Sequence, residues 1–142
     1  MLVERADIGQ HASMTRVRRF SLWLPALFWM GLIFFLSAQS HLPQIGPEFP
    51  NKDKVEHFVF YTVLWFCLLL PLRYAHRLSL PKSILLAFLI TSAYGASDEF
   101  HQRFVTNRSC DVQDWFADTF GAFIAASAYW VYESHRSHKT HR

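Results

Sequence analysis

Histidine, carboxylate and basic side chains that can bind a polar ligand or transfer a proton are concentrated in two short segments of the chain. The first is NKDKVEHFVFY, residues 51–61, and the second is YGASDEFHQRFVTNRSCDVQDWFADTFG, residues 94–121. The second segment carries five carboxylates, one histidine and two arginines between two apolar stretches. Charged groups are costly in a bilayer and unnecessary for holding a helix there, so their presence at this point indicates a functional site.

Helical spacing places these polar side chains on one face of each of three helices. The three faces consist of Asp53, His57 and Tyr61, of Tyr94, Asp98 and His101 or Gln102, and of Asp111, Asp114 and Asp118. The third face continues to Gly121 and Ala125, small residues that permit close helix approach. Polar faces in a membrane bundle should converge, because the alternative is contact with lipid. The sequence therefore predicts one polar cluster near a membrane surface.

Some of these residues also have a purely structural explanation. Asp53 with Glu56, and Asp111 with Asp114, have the spacing of capping boxes at helix N-termini. Lys54 and Arg103 suit solvated positions at the interface. Tyr61 and Tyr94 suit core positions with a satisfied hydroxyl. His57 suits a structural role as donor to a neighbouring carboxylate, and His101 suits a solvated loop position.

Three acids are harder to explain in this way. The adjacent carboxylates Asp98 and Glu99 repel each other unless protonation or a nearby cation relieves them. The available cations are Lys54, Arg103 and Arg108. Asp118 lies about one turn inside an apolar block, so it must find a donor or stay protonated. A network of ion pairs that only joins the helices is the alternative, although buried ion pairs are poor sources of net stability.

The elements that must position these residues are four apolar blocks in a chain of 142 residues, 51% of them hydrophobic and 17% aromatic. The blocks are residues 20–37, 55–72, 83–96 and 115–132, near the roughly 20 residues that span a bilayer, the third only if it extends into its flanks. A soluble helix bundle would show a charged face on each helix, and the first block has none. A basic stretch precedes that block, as in a signal peptide, but its length favours a retained span. The prediction is an all-α, four-helix transmembrane domain over residues 20–132, with tails at 1–19 and 133–142.

The distribution of Lys and Arg predicts the orientation of these four spans. The two tails and the loop between the second and third spans carry ten Lys and Arg residues against three acids, a net charge of +7. The remaining loops carry four against eight, a net charge of −4. Both termini should therefore be cytoplasmic, with the polar cluster on the outer side. Topology and anionic lipid account for the basic residues, so no nucleic-acid partner is expected.

The polar segments resemble the signature of a known family. KDKVEHFVFYTVLW is similar to the pattern DK-x-x-H-x-x-x-Y-x-x-L, and YGASDEFHQRFVTNR with DVQDWFADTFG is similar to YG-x-x-DE-x-HQ-x-F-V-P-x-R followed by D-x-x-D-x-x-A-N-x-x-G. These are the patterns of the VanZ-like family, named for an accessory membrane protein of glycopeptide-resistance clusters that is linked to teicoplanin resistance. The resemblance covers roughly residues 22–130. It implies a bacterial cytoplasmic-membrane setting and no particular reaction.

The matching positions define the residues that the resemblance implies for ligand binding. They are Asp53, Lys54, His57, Tyr61, Tyr94, Asp98, Glu99, His101, Gln102, Arg108, Asp111 and Asp114, together with Gly95 and Gly121. Two positions depart from the family pattern. Thr106 stands where the pattern has Pro, which makes the loop less rigid, and Asp118 stands where it has Asn, which adds an acid to the cluster.

Two functional hypotheses follow, the first of them a binding or accessory protein at the outer face. Its ligand would be a glycopeptide, a cell-wall precursor or a lipid-linked sugar in the envelope. Amide or amine donors on that ligand would suit the acids, and phosphates would suit Lys54, Arg103, Arg108 and the outward N-termini of two helices.

The second hypothesis is an enzyme acting on a lipid-linked substrate. His57 or His101 would be the general base, oriented by Asp98 or Glu99, with a divalent metal on Asp98, Glu99 and a histidine as a variant. The sequence assigns no metal ligands, because adjacent acids point about 100° apart on a helix and two cysteines make no zinc framework. It names no cofactor and no oligomeric state. A proton-coupled carrier using Asp98 and Asp118 is a weaker alternative, since no acid lies near mid-membrane.

Overall fold

The computed structural model describes residues 16–41, 47 and 49–140, and the described chain is helical with no strand. Its helices are α1 (Arg16–Ser21), α2 (Leu24–Ser37), α3 (Lys52–Leu70), α4 (Leu80–Gln102) and α5 (Val112–Thr140). A π-helical turn, Pro71–Ala75, extends α3. The all-α prediction is therefore confirmed. Most of the 1–19 tail lies outside the described residues, as do the last two residues of the C-terminal tail.

Proline and left-handed residues mark where these helices begin and end. Pro25 stands in the first turn of α2, where its missing amide hydrogen costs no helical bond. Pro71 begins the π-helical turn, because a proline cannot donate the hydrogen bond that would continue α3 regularly. Asn51, with φ of 60°, precedes α3. The third apolar block is longer than its hydropathy indicates, since α4 continues past Gly95 to Gln102.

Three helical segments are long and apolar enough to cross a membrane: Arg16–Ser37, Lys52–Ala75 and Leu80–Gln102. The fourth predicted span, residues 115–132, falls on α5, which has 29 residues but is not among the three. Acids and small residues occupy the inward face of α5 and lower its hydropathy. Four spans thus remain a prediction, while three membrane-capable helices are a property of the described chain.

The bundle is built around α3, which packs against α2, α4 and α5. Tyr61, Leu64, Trp65 and Leu68 of α3 are almost completely buried. The outer surface is apolar instead, and the exposed large side chains include Phe28, Phe35, Val59, Leu89, Phe116, Phe120, Phe123 and Trp130. An apolar exterior around an interior that contains acids is the arrangement expected of helices surrounded by lipid.

One glycine sets the distance between α3 and α5. A Cβ at Gly121 would meet the backbone oxygen of Phe58 and lie 2.9 Å from Oγ1 of Thr62, so no larger residue fits without displacing α3. Gly31 of α2 is a contrasting case, because nothing lies within 4 Å of a Cβ built there. Close contact at Gly121 is the small-residue packing that the sequence predicts for this face.

Substituting Gly121→Ala should therefore destabilise the bundle, by about 1–3 kcal/mol, because the added methyl group overpacks a backbone contact. Gly31→Ala is the matched control and should be neutral or slightly stabilising, since alanine is the better helix former. The measurement is the unfolding midpoint of the detergent-solubilised variants by circular dichroism. Equal stability of the two variants would contradict the close α3–α5 contact.

Candidate functional site

A network of charged side chains joins α3, α4 and α5 where α3 begins, α4 ends and α5 begins. We define the polar cluster as Lys54, His57, Glu99, Asp111, Asp114 and Asp118. These residues come from three separate segments of the chain and lie together at one end of the bundle. The structure therefore brings residues of the predicted faces of α3 and α5 into contact, whereas α4 contributes Glu99, which was not on its predicted face.

Lys54 is the central cation of the polar cluster. Its Nζ donates to Asp114 Oδ1 at 2.9 Å, to Asp111 Oδ2 at 3.0 Å and to Asp53 Oδ2 at 3.3 Å. The Asp114 side chain is 10% exposed and that of Asp53 is 61% exposed. Ion pairs gain strength as water is removed, so the Asp114 pair contributes most and the Asp53 pair least. All three ammonium hydrogens are used by carboxylates of this chain.

His57 lies one turn deeper and makes the second main contact. Its Nδ1 lies 2.9 Å from Asp118 Oδ1 and 3.9 Å from Glu99 Oε1. Asp118 is completely buried, and its other oxygen, Oδ2, has no hydrogen-bond partner among the described residues. A buried carboxylate oxygen without a donor is unfavourable. The interior of the polar cluster thus has more acceptors than the donors of the described residues satisfy.

Glu99 and Asp111 connect the end of α4 to the start of α5. The Asp111 amide donates to Glu99 Oε2 at 2.8 Å, and Asp111 Oδ1 accepts from the Gln113 amide at 2.8 Å. The second bond is an N-cap contact, which agrees with the capping role predicted for Asp111. The Gln113 hydrogen bond, and after it the Lys54 hydrogen bond, lowers the pKa of Asp111. Asp111 therefore stays ionised beside Lys54.

Gln102 and Asp98 lie next to the polar cluster on α4. The Gln102 amide nitrogen is 3.4 Å from Asp98 Oδ2 and 3.5 Å from Glu99 Oε1, both long contacts. All three side chains are at least 95% buried. Asp98 thus faces the protein interior without the cation that the sequence led us to expect.

Several predicted site residues have other partners. The Tyr94 hydroxyl donates to the Met30 carbonyl oxygen at 2.7 Å, and the His101 ring packs against Phe34 with centroids 4.7 Å apart. Both side chains contact α2. Tyr61 is 1% exposed, and its ring lies parallel to that of His57 with the ring centroids 6.2 Å apart.

Two expectations about charged residues need correction. Arg108 was a candidate to neutralise Asp98 and Glu99, but it donates to the carbonyl oxygens of Gln39 and Leu36 at the end of α2. Carbonyls at a helix C-terminus lack intrahelical donors and attract a cation, which explains why Arg108 binds the end of α2. Asp53 does not cap α3, because the helix begins at Lys52 and Asn51 holds the N-cap position.

The carboxylate bonded to His57 also differs from the expected one. The sequence pointed to Asp98 or Glu99 as the group that orients a histidine base, whereas Asp118 makes the short contact. The signal was present in the face that Asp118 shares with Asp114 and Gly121. Gly95 of α4 provides the space, because a Cβ there would lie 2.6 Å from Asp118 Oδ2.

Comparison with known proteins gives one match. The model of the VanZ/LLP1 family matches residues 22–133, which include every residue of the polar cluster. No curated protein and no solved structure matches the chain significantly.

The arrangement predicts unequal roles for the partners of Lys54. Lys54→Met should lower the free energy of unfolding by about 1–2 kcal/mol, less than for a fully buried pair because Lys54 is partly exposed. Adding Asp114→Asn to that variant should recover part of the loss, since the unpaired buried charge is then removed. Asp53→Asn is the control and should change stability by less than about 0.5 kcal/mol.

The measurement is chemical denaturation of the four proteins in detergent. A Lys54→Met variant as stable as Asp53→Asn would contradict the assigned network.

Proposed function

The chain belongs to the VanZ/LLP1 family, and on that premise we propose that it is an accessory protein of the bacterial cell envelope. It crosses the cytoplasmic membrane four times, with both termini inside the cell and the polar cluster at the outer face. It binds an envelope molecule, of the glycopeptide or cell-wall-precursor class, through the acids of the polar cluster. The resemblance to an accessory protein linked to teicoplanin resistance motivates the choice of ligand class.

Charge distribution supports this orientation. Arg73, Arg77, Lys82, Arg136 and Lys139 belong to connections and ends opposite the polar cluster along the antiparallel helices. Positive residues next to spans favour the cytoplasmic side. The apolar outer surface of α5 supports its role as a fourth span, because lipid is the medium in which such a surface is stable.

The partners of the cations favour a ligand that offers hydrogen-bond donors over one that offers phosphate. Lys54 is fully engaged by carboxylates, and Arg108 is engaged by backbone carbonyls. Glu99 and Asp118, by contrast, are buried acids with fewer donors than they can accept. Amine and amide groups, abundant in glycopeptides and in the peptide part of cell-wall precursors, match that need.

The observation that carries the proposal is the access to these acids. His57 and Lys54 side chains are 17% and 22% exposed, above acids that are at most 10% exposed. Partly exposed basic side chains next to buried acceptors leave a side from which the donor groups of a ligand can approach.

Topology is tested with the two native cysteines. Cys110 is exposed in the loop before α5, and Cys67 is half-buried within α3. A membrane-impermeant maleimide added to intact cells, after any outer membrane is opened, should label Cys110 and leave Cys67 unlabelled. Cys110→Ser is the control that removes the signal. Labelling of Cys110 only after cell lysis would place the polar cluster inside the cell and contradict the proposal.

Ligand binding is tested with Glu99→Gln, which removes one buried negative charge with little change of shape. Teicoplanin binding to the purified protein should weaken about tenfold or more, because a charged hydrogen bond contributes roughly 1.5–3 kcal/mol. Glu56→Gln is the matched control. Glu56 lies near the start of α3 and is 53% exposed, so this variant should bind teicoplanin normally. In cells, a deletion strain carrying Glu99→Gln should remain as sensitive to teicoplanin as the deletion itself.

Two results would contradict this function: teicoplanin binding by Glu99→Gln equal to that of the wild-type protein, or a deletion strain as resistant to teicoplanin as its parent strain.

One observation favours an enzyme as the second candidate. The 2.9 Å contact between His57 Nδ1 and Asp118 is that of a histidine held by a carboxylate for general acid–base catalysis. If the protein is an enzyme acting on a lipid-linked substrate, cells carrying His57→Gln should accumulate that lipid, because the variant no longer converts it. A binding protein would leave the lipid profile unchanged while ligand affinity falls, so profiling of precursor lipids separates the two.

A further inference from the structure

We propose that the polar cluster binds a divalent first-row metal ion, of the Zn²⁺ or Mn²⁺ class, on His57, Glu99 and Asp114. One ligand atom from each of these three residues lies within 4.8 Å of the other two. The residues come from α3, α4 and α5, so the metal would join the three helices. The inference uses Glu99 and Asp118, the acids that the proposed function assigns to an envelope ligand, and its test measures metal binding in the absence of that ligand.

The spacing of the three atoms suits coordination after a small contraction. An ion placed centrally among the three ligand atoms would lie at most about 2.8 Å from each of them. Zinc binds nitrogen and oxygen at roughly 2.0–2.2 Å. Each side chain therefore moves by less than about 1 Å, within the freedom of carboxylate and imidazole torsions.

A fourth ligand is available beside the histidine. Nδ1 is the ring nitrogen that faces the acids, 3.9 Å from Glu99 and 2.9 Å from Asp118. Two adjacent ligands, each about 2.1 Å from one ion, are separated by about 3.0 Å in octahedral and about 3.4 Å in tetrahedral coordination. The Nδ1–Asp118 separation is close to the octahedral value and needs a small widening for the tetrahedral one. A metal bound at Nδ1 takes the place of its proton, which is released on binding.

An unpaired buried oxygen gives independent support for a missing cation. Asp118 is completely buried, and its Oδ2 has no hydrogen-bond partner among the described residues. The other oxygen of the same carboxylate, Oδ1, lies 2.9 Å from His57 Nδ1. A cation bound beside His57 would neutralise this carboxylate, whose second oxygen no donor of the described residues reaches.

The charge balance points the same way. The polar cluster contains four carboxylates and one lysine, and Asp53 and Asp98 lie beside it. The single positive charge of Lys54 is shared by Asp111 and Asp114 and cannot neutralise both, and Glu99 and Asp118 have His57 as their one basic neighbour among the described residues. A divalent ion supplies the charge that these acids lack.

The donor set determines the class of metal. One imidazole and several carboxylates suit zinc, manganese or ferrous iron, and the absence of a thiolate among these ligands disfavours cuprous copper. The set differs from the Asp98, Glu99 and histidine combination that the sequence suggested as a variant, because Asp98 is turned toward Gln102 and Asp114 takes its place.

The test is zinc titration by calorimetry of the purified full-length protein in detergent after treatment with a chelator. All proteins carry His135→Gln, His138→Gln and His141→Gln, because the histidines of the C-terminal tail would bind zinc themselves. The expected result is one zinc per chain, together with a rise in the unfolding temperature on zinc addition. Manganese is titrated in parallel as the second probe.

Glu99→Gln and Asp114→Asn should each weaken zinc binding at least tenfold, and Glu56→Gln, which makes the same charge change at an exposed position, should not. Circular dichroism checks the fold of each variant. The proposal is overturned if the parent protein binds no zinc and no manganese, or if Glu99→Gln and Glu56→Gln bind equally. If the parent protein binds teicoplanin but neither zinc nor manganese, the metal site is wrong and the proposed function still stands.

Discussion

Burial of negative charge inside an apolar helix bundle is the constraint on which the rest of this structure depends. Glu99 and Asp118 lie among helices whose outer surfaces carry many large apolar side chains. A carboxylate removed from water must find hydrogen-bond donors or positive charge nearby. The imidazole of His57 on α3 lies beside both acids, and the Asp111 amide at the start of α5 donates to Glu99. The ammonium group of Lys54, also on α3, pairs with the neighbouring acids Asp111 and Asp114.

Meeting that constraint requires the helices to approach closely. Gly121 lets α5 contact the backbone of α3, and Gly95 leaves room for the Asp118 carboxylate against α4. Such contacts are short because glycine has no side chain, and they hold the acids at fixed distances from Lys54 and His57. The glycines and the acids therefore act together. Gly95 leaves the space that the Asp118 carboxylate fills, and Gly121 brings α5 close to α3.

The sequence predicted the helices and the polar residues that α3 and α5 bring together, because the spacing of those residues gives one face on each helix. It did not predict that α4 contributes Glu99. It underestimated α4, since hydropathy falls after residue 96 although the helix continues and buries Asp98, Glu99 and Gln102. The pairing of charges was not predictable from spacing. Whether Arg108 reaches the acids or the end of α2 depends on the path of a loop.

The same limit applies to His57. Three acids are within plausible reach of its ring, and only the rotation of α5 relative to α3 selects Asp118. That rotation is a property of the packed bundle, in which Gly121 contacts Phe58, and no short stretch of sequence encodes it.

The most direct test of the central claim is proton NMR of ¹⁵N-histidine-labelled, metal-free protein in detergent micelles. A carboxylate that accepts from Nδ1–H should give a downfield imidazole resonance, identified by its loss in His57→Gln. The account predicts that Asp118→Ala removes this resonance while the helical signal is retained. A His57 resonance unaffected by Asp118→Ala would contradict the buried contact on which the arrangement of the polar cluster depends.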